Sequence, residues 1–371
     1  MKLEHIGIEV RDLYAVELFY RKALGFRPRY RYVSRNTPGL RTVFLERDGV
    51  RLELLERPRG EDLRARREGV PGHLAIEVPD VDAAHARLAA LGLDGSALRP
   101  PRDTGDGYRE LELRDPEGNV VELSARIVAE PRYPVRAVIF DLDGTLVDSE
   151  ENYYLADRDL LASYGITFTR EDKRRYVGSG NLEMMVEVKR RYGLPDSPAE
   201  LVDRKNQLYL EIARTGTRFY PEMKRFWDRL RAERIPVAVA SGSSPLVLER
   251  LLAAIGLAPE VEVVVSAEHV ARGKPAPDIF LEAARRLGVA PHECAVVEDS
   301  RFGVEAASRA FMRCIAVPYL VDEPLADAFL MADLLFQDGM GAFDADGAFQ
   351  WLMDQDQARA QARDRIEDTT R

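Results

Sequence analysis

Residues 137 to 150 read AVIFDLDGTLVDSE, an apolar run that passes directly into Asp141, Asp143, Gly144 and Thr145. A short unbroken apolar segment bounded by turn residues is the pattern of a strand buried on both faces, as in a parallel sheet. Carboxylates just beyond such a strand lie at the carboxyl edge of the sheet, where open α/β folds bind their ligands. Because alternate residues share a face, Asp141 and Asp143 are expected to point the same way.

Three later segments complete a set. IPVAVASGSSP (235 to 245) ends in Ser241, Gly242 and Ser243, with Ser244 as the expected N-cap and Pro245 at the first helical position, a natural seat for phosphate oxygens. ARGKPAPDIF (271 to 280) holds Lys274 between helix breakers, so its ammonium belongs to a loop. CAVVEDSRFGVEAA (294 to 307) runs into Glu298 and Asp299, hard oxygen ligands suited to Mg2+. Strand, loop and helix alternate from 137 to about 320, which predicts a doubly wound, Rossmann-like parallel sheet. No GxGxxG follows any strand, which argues against a dinucleotide-binding version of that fold.

This order of DLDGT, Ser241, Lys274 and the Glu298-Asp299 pair resembles the phosphatase and phosphomutase branch of the haloacid dehalogenase superfamily, over roughly residues 137 to 335. The resemblance implies that Asp141 attacks phosphorus to form an aspartyl-phosphate and that Asp143 protonates the leaving alcohol and later activates water. It implies Mg2+ held by Asp141, Asp143 through its backbone carbonyl, Asp299 and Glu298, with Lys274 and Ser241 on the phosphoryl oxygens and Thr145, Gly242, Ser243 and Asn181 as substrate contacts. The implied function is Mg2+-dependent hydrolysis of a small phosphate monoester of the sugar or sugar-acid phosphate class; the alternative is a mutase of the β-phosphoglucomutase type. Mutases of that type usually carry a histidine shortly after the first motif, where this chain has Asn152 and Tyr153, and tend to have Val at the Thr145 position. Both departures favour hydrolysis.

Residues 151 to 221 read as a helical cap inserted into a core of 137 to 150 and 222 to 340. A cap closes over the site, excludes water and selects substrate. Its loop VGSGN (177 to 181), preceded by Lys173, Arg174 and Arg175, is the expected place for substrate contacts.

The first third contains a repeat. HIGIEV (5 to 10) recurs as HLAIEV (73 to 78), and RLELLE (51 to 56) as VVELSA (120 to 125), with the hairpin signal DPEGN at 115 to 119 before the last strand. Each half reads as a βαβββ module, so residues 1 to 126 are expected to form an α+β pair. The repeat sets His5 against His73 and Glu53 against Glu122, a mixed N/O donor set suited to Zn2+, Ni2+, Co2+ or Mn2+. These segments resemble the vicinal oxygen chelate superfamily, which includes glyoxalase I and methylmalonyl-CoA epimerase. The resemblance implies one metal on His5, Glu53, His73 and Glu122, serving a lyase or epimerase activity that makes the chain bifunctional, or else a domain that only binds a ligand.

Residues 127 to 136, with two prolines and no periodicity, read as a linker, and 341 to 371 as a polar C-terminal tail. In that tail Phe349, Trp351, Leu352 and Met353 offer a docking face for a neighbouring domain or for a second copy, as in a homodimer. The net charge is −10, with 22 basic against 23 acidic residues up to position 130 and 31 against 40 beyond it. That balance argues against a nucleic-acid partner. No segment has the roughly 18 consecutive apolar residues of a membrane span, and the start lacks a signal-peptide layout, so a cytoplasmic protein with no membrane partner is expected. Cys294 and Cys314 lie in apolar runs and read as reduced core residues.

Overall fold

The computed structural model describes residues 2–34, 36–58, 72–93, 98–114, 120–128, 133–176, 180–322 and 324–354. The chain forms two compact units, the second beginning at Tyr133, and its class is α/β throughout. The DPEGN turn and residues 129–132 of the linker lie outside the described residues, as does the VGS of the cap loop.

In the first unit β1 (Lys2–Val10), α1 (Leu13–Leu24), β2 (Arg27–Val33), β3 (Arg41–Arg47) and β4 (Val50–Glu56) are followed by β5 (His73–Glu77), α2 (Val81–Ala90), β6 (Arg102–Asp103), β7 (Tyr108–Arg114) and β8 (Val120–Arg126). The repeat extends to the caps: Asp12 accepts from the Ala15 amide and Asp80 from the Ala83 amide, each at 3.0 Å, so both helices start on the same aspartate. One eight-stranded sheet runs β2-β3-β4-β1-β5-β8-β7-β6. The first strands of the two modules pair antiparallel at its centre, and each lies parallel to the last strand of its own module. This near-twofold arrangement turns sequence register into spatial register. Gly7 stands opposite both His73 and Glu53, while Ala75 stands opposite His5 and Glu122. On the other face Leu111 and Leu123 pack with Val78 and with Val81 and Ala84 of α2.

The second unit is built on a parallel sheet of order β11-β10-β9-β12-β13-β14, comprising β9 (Ala137–Phe140), β10 (Val237–Ser241), β11 (Val263–Ser266), β12 (Cys294–Glu298), β13 (Arg313–Ala316) and β14 (Leu334–Leu335). Every residue of β9, β10 and β12 is buried, which is why these strands are apolar without alternation. Between β9 and β10 lie α3 (Glu150–Ala162), α4 (Arg170–Arg174), α5 (Asn181–Tyr192), α6 (Pro198–Gly216) and α7 (Pro221–Ala232); α8 (Pro245–Ala254), α9 (Asp278–Leu287) and α10 (Arg301–Arg309) complete the crossovers. Helices α3 to α6 enclose a small core of their own around Leu160, Leu161, Met184, Met185, Val188 and Leu201. Both cysteines are buried and free, and burial pushes the Cys294 thiol up to about 12.

The C-terminal expectation is corrected. Residues 345–354 form a further helix, α11, so 341–354 is no polar tail; the rest of the expected tail, 355–371, lies outside the described residues. Phe349 and Leu352, with Trp351 and Met353 beside them, pack with Phe226 and Trp227 of α7 in the main core. The apolar cluster is covered by its own unit, and Asp346 fastens α11 to Arg225 and Arg229.

Candidate functional site

Strand β9 ends one residue before Asp141, so its carboxylate is delivered to the edge of the sheet between β10 and β12. Lys274 Nζ lies 2.5 Å from Asp141 Oδ1 and 2.5 Å from Glu298 Oε1. Glu298, fully buried, also accepts from the amide (2.7 Å) and hydroxyl (3.0 Å) of Ser300 through Oε2. It is therefore tied at one oxygen to the N-cap of α10 and at the other to the lysine. Asp299 accepts from Thr145 Oγ1 at 3.1 Å. Gly144, at φ +84°, is needed in that turn because a Cβ there would meet Asp299 Oδ2 at 2.5 Å.

Asp141, Glu298 and Asp299 bring one oxygen each within 4.8 Å of one another, all three buried, with Lys274 as the one adjacent cation among the described residues. Burial drives the Asp141 carboxyl well above its ordinary range against the pull of Lys274, helped by the charges of Glu298 and Asp143. Burial raises Asp299 likewise, with Glu298 and Asp141 adding to it. Lys274 is held charged, its burial outweighed by Asp141 and Glu298. Three buried carboxyl groups can be ionised together here only with more positive charge than one ammonium supplies, and a hard divalent cation is the species this oxygen set fits.

Asp143 faces the same cleft but engages different groups. Its Oδ1 accepts from Ser149 Oγ at 2.6 Å, and its Oδ2 from Ser241 Oγ at 3.1 Å and Ser243 Oγ at 2.8 Å. The side chains of Asp141 and Asp143 lie past the end of β9, where the two-residue alternation of a strand no longer fixes direction. Ser243 is in turn 2.5 Å from the Tyr153 hydroxyl. Because the Ser243 proton goes to Asp143, Tyr153 is the donor in that pair. Tyr153 is stacked on Tyr209, centroids 4.0 Å apart. The cleft is lined from the core by Asp141, Asp143, Ser241, Gly242, Ser243 and Lys274, and from the cap by Glu150, Tyr153, Lys173, Tyr176 and Asn181.

Asn181 opens α5 and lines the cleft. Thr145 is fully buried, donates its hydroxyl to Asp299 and is not among the residues that line the cleft, a placement that suits positioning that carboxylate. Of the three cap cations only Lys173 reaches the cleft; Arg174 and Arg175 are exposed. Glu150 and Tyr176 were not legible as site residues, since a glutamate starting a helix ordinarily serves the helix dipole.

In the first unit the expected ligands converge. His5 Nε2 lies 2.7 Å from His73 Nε2 and 3.3 Å from Glu53 Oε2, and His73 Nε2 lies 3.1 Å from Glu53 Oε2 and 3.7 Å from Glu122 Oε2. His5, Glu53 and His73 form the tight group, with Glu122 just outside it. Three converging donors, with a fourth carboxylate beside them, fit a transition-metal site. Glu4 was missed: it is buried beside His5, accepts at 2.5 Å from Nδ1, and so leaves Nε2 to face inward. Adjacent strand residues normally face opposite ways, but a register shift between Leu3 and His5 turns both inward. Burial opposes charge on His5, yet Glu4 and Glu53 outweigh it and hold its pKa up at about 10. Burial raises Glu122 well above the carboxylate range, with Glu110 adding to it. Gly7 is required by close approach, because a Cβ there would sit 2.2 Å from the His73 ring.

Residues 135–310 match the model of the haloacid dehalogenase-like hydrolases, and the chain is 33% identical to fructose-1-phosphate phosphatase YqaB of Escherichia coli (strain K12) over 185 residues, 49% of this chain and 96% of that protein. The chain belongs to the haloacid dehalogenase-like hydrolases. Residues 2–123 match the Glyoxalase/Bleomycin resistance protein/Dioxygenase superfamily, so a glyoxalase domain precedes the hydrolase domain. The hydrolase domain is also 32% identical to beta-phosphoglucomutase of Bacillus subtilis (strain 168) over 193 residues, 49% of this chain and 83% of that protein. Among solved structures, CbbY from Rhodobacter sphaeroides in complex with phosphate matches with 28% identity and a TM-score of 0.51, covering 56% of this chain and 95% of that one. No helix among the described residues is long and apolar enough to cross a membrane.

Proposed function

We propose that the hydrolase domain hydrolyses a small phosphate monoester of the sugar or polyol class through an aspartyl-phosphate on Asp141. The observation that carries this reading is the pair of carboxylates at the end of β9 with opposite surroundings. Asp141 is buried against Lys274 among carboxylates, and Asp143 is held by three hydroxyl groups. The first suits a nucleophile whose partner cation also draws in a phosphoryl oxygen; the second suits a general acid and base that must exchange a proton. Ser241 Oγ, the Lys274 ammonium and the amides at the start of α8 would hold the phosphoryl oxygens. Asp141 and Asp299, with Glu298 beside them, would hold Mg2+, which when bound offsets the charge repulsion between carboxylate and phosphate.

Hydrolysis is favoured over mutase chemistry by Tyr153. It stands in the region where such mutases usually carry histidine, and its hydroxyl is engaged with Ser243, so it offers no imidazole to exchange protons with a sugar hydroxyl. The fructose-1-phosphate phosphatase among its relatives supports the substrate class. For the glyoxalase domain, His5, Glu53, His73 and Glu122 would bind a divalent transition metal.

The test is phosphate release from a panel of sugar, polyol and sugar-acid phosphates, with Mg2+ and with a chelator. Turnover of at least one ester that the chelator abolishes is expected. Absence of release from every ester, with Mg2+ present, would remove the reading.

A further inference from the structure

The repeat that brings His5 and His73 together breaks down one residue away from them. At the shift of 68, Glu4 of the first module falls on Gly72 of the second, so one histidine follows a carboxylate and the other a residue with no side chain. In β1 the register shift between Leu3 and His5 turns Glu4 inward beside the imidazole. There its Oε2 accepts from His5 Nδ1 at 2.5 Å, while its Oε1 accepts from the Tyr108 hydroxyl of β7 at 2.6 Å and from the Arg51 guanidinium of β4. Glu4 and His5 are both buried. A buried carboxylate with donors on both oxygens is held in place, because turning it would leave donors and charges unpaired.

His73 lacks such a hold. Its contacts with His5, Glu53 and Glu122 all run through Nε2, and its Nδ1 has no hydrogen-bond partner among the described residues. Its ring lies against Gly7, a packing contact in which no acceptor fixes the ring nitrogens. A histidine that binds a metal through one nitrogen is oriented by the acceptor on its other nitrogen, which also raises its basicity. Only His5 has that acceptor built in.

We infer that the two histidines are unequal ligands and that Glu4 makes them so: Glu4, held by Tyr108 and Arg51, is a positioning residue that fixes His5 Nε2 as the anchor of the metal site, and His73 is the more weakly held partner. This rests on the reading of His5, Glu53, His73 and Glu122 as a transition-metal site. The asymmetry reaches well beyond the ligands themselves. Tyr108 touches none of the four in its hydrogen bonding, yet it steadies the carboxylate that orients His5, and its ring is covered by the Arg126 guanidinium at 4.0 Å, a contact that phenylalanine would keep.

The experiment measures Zn2+ affinity of the full-length protein by competition with a chromogenic chelator, with Mg2+ in excess to fill the hydrolase site. Glu4→Ala should weaken Zn2+ binding by about 10–100-fold, and Tyr108→Phe by a few-fold. Glu4→Gln, whose amide oxygen still accepts from Nδ1, should retain most of the affinity, a rescue that a purely structural role would not require. His5→Ala should cost at least about tenfold more affinity than His73→Ala. Equal costs for the two histidines, or the reverse order, overturn the proposal, and so does unchanged affinity in a folded Glu4→Ala. If Glu4→Ala does not fold, the order of the two histidine variants decides alone. Absence of Zn2+ binding by the wild-type chain is a different failure, since it removes the metal-site reading and the proposal with it.

Discussion

Asp143 is the residue whose surroundings say most about chemistry. Three hydroxyl donors fix it, and one of these, Ser243, is itself held by Tyr153 from the cap. Tyr153→Phe removes one hydroxyl and leaves the ring stacked on Tyr209, so stability should move little. We expect kcat to fall about tenfold with KM within a few-fold, the pattern of a lost positioning contact. Equal kinetics in steady-state assays would show that Ser243 orients Asp143 unaided. Lys274 is a sharper case, because removing a cation from among buried carboxylates leaves their charges unpaired. Lys274→Ala should lower kcat/KM by about a hundredfold or more, and urea melts should show a loss of stability as well. Asp141, Glu298 and Asp299 were legible in the sequence because each stands at the end of an apolar strand, a fixed address in a parallel sheet, and Lys274 because helix breakers flank it. Glu150 and Glu4 were not legible. Their roles come from cap packing and from a bulge, and neither leaves a mark in spacing.

At the scale of elements, the repeat in the glyoxalase domain does most to specify its site. Two histidines 68 residues apart meet because the first strands of the two modules pair antiparallel about a near-twofold centre, and their partner glutamates follow on the adjoining parallel strands. One asymmetry is small but consequential, with Gly7 on one side where the repeat has Ala75 on the other. Gly7→Ala should push the His73 ring aside and weaken transition-metal binding about tenfold or more, at a stability cost of about 1–3 kcal/mol. Metal content per chain after dialysis measures this; full occupancy in the variant would mean that His73 is not a ligand. The raised His5 pKa adds a sign. In the metal-free protein the imidazole keeps its proton up to about pH 10, so at pH 7 a metal that takes its lone pair must displace at least one proton. Apparent affinity should therefore rise with pH from 6.5 towards 10, and calorimetry in buffers of different ionisation enthalpy should detect the released proton.

For the whole molecule, the sequence foretold two folds in series and the inserted cap but misjudged where the second fold stops. The charged run after Met353 hid an amphipathic helix whose apolar residues complete the main core against Phe226 and Trp227. A composition reading sees the polar end and not the face that packs. Truncation after Gly341 should expose that core and cost several kcal/mol, since Phe349 and Leu352 alone bury side chains worth about 2–5 kcal/mol each. Thermal melts read the loss, and an unchanged transition would place α11 outside the folding unit. The excess of acidic residues beyond position 130 also gains a local meaning, because the site carboxylates among them would attack phosphorus, carry a proton and hold a cation. Net charge alone pointed away from a nucleic-acid partner and said nothing of a small phosphate ester, for which Lys274 and Mg2+ would supply the attraction locally.

The central claim is that Asp141 is the nucleophile, and the most direct measurement is peptide mapping by mass spectrometry of a reaction quenched in acid during turnover. A phosphoryl group on the peptide that carries Asp141, absent from Asp141→Asn and enriched in Asp143→Asn, is the predicted result. Turnover that persists in Asp141→Asn, or a phosphoryl group found on another residue, would contradict it.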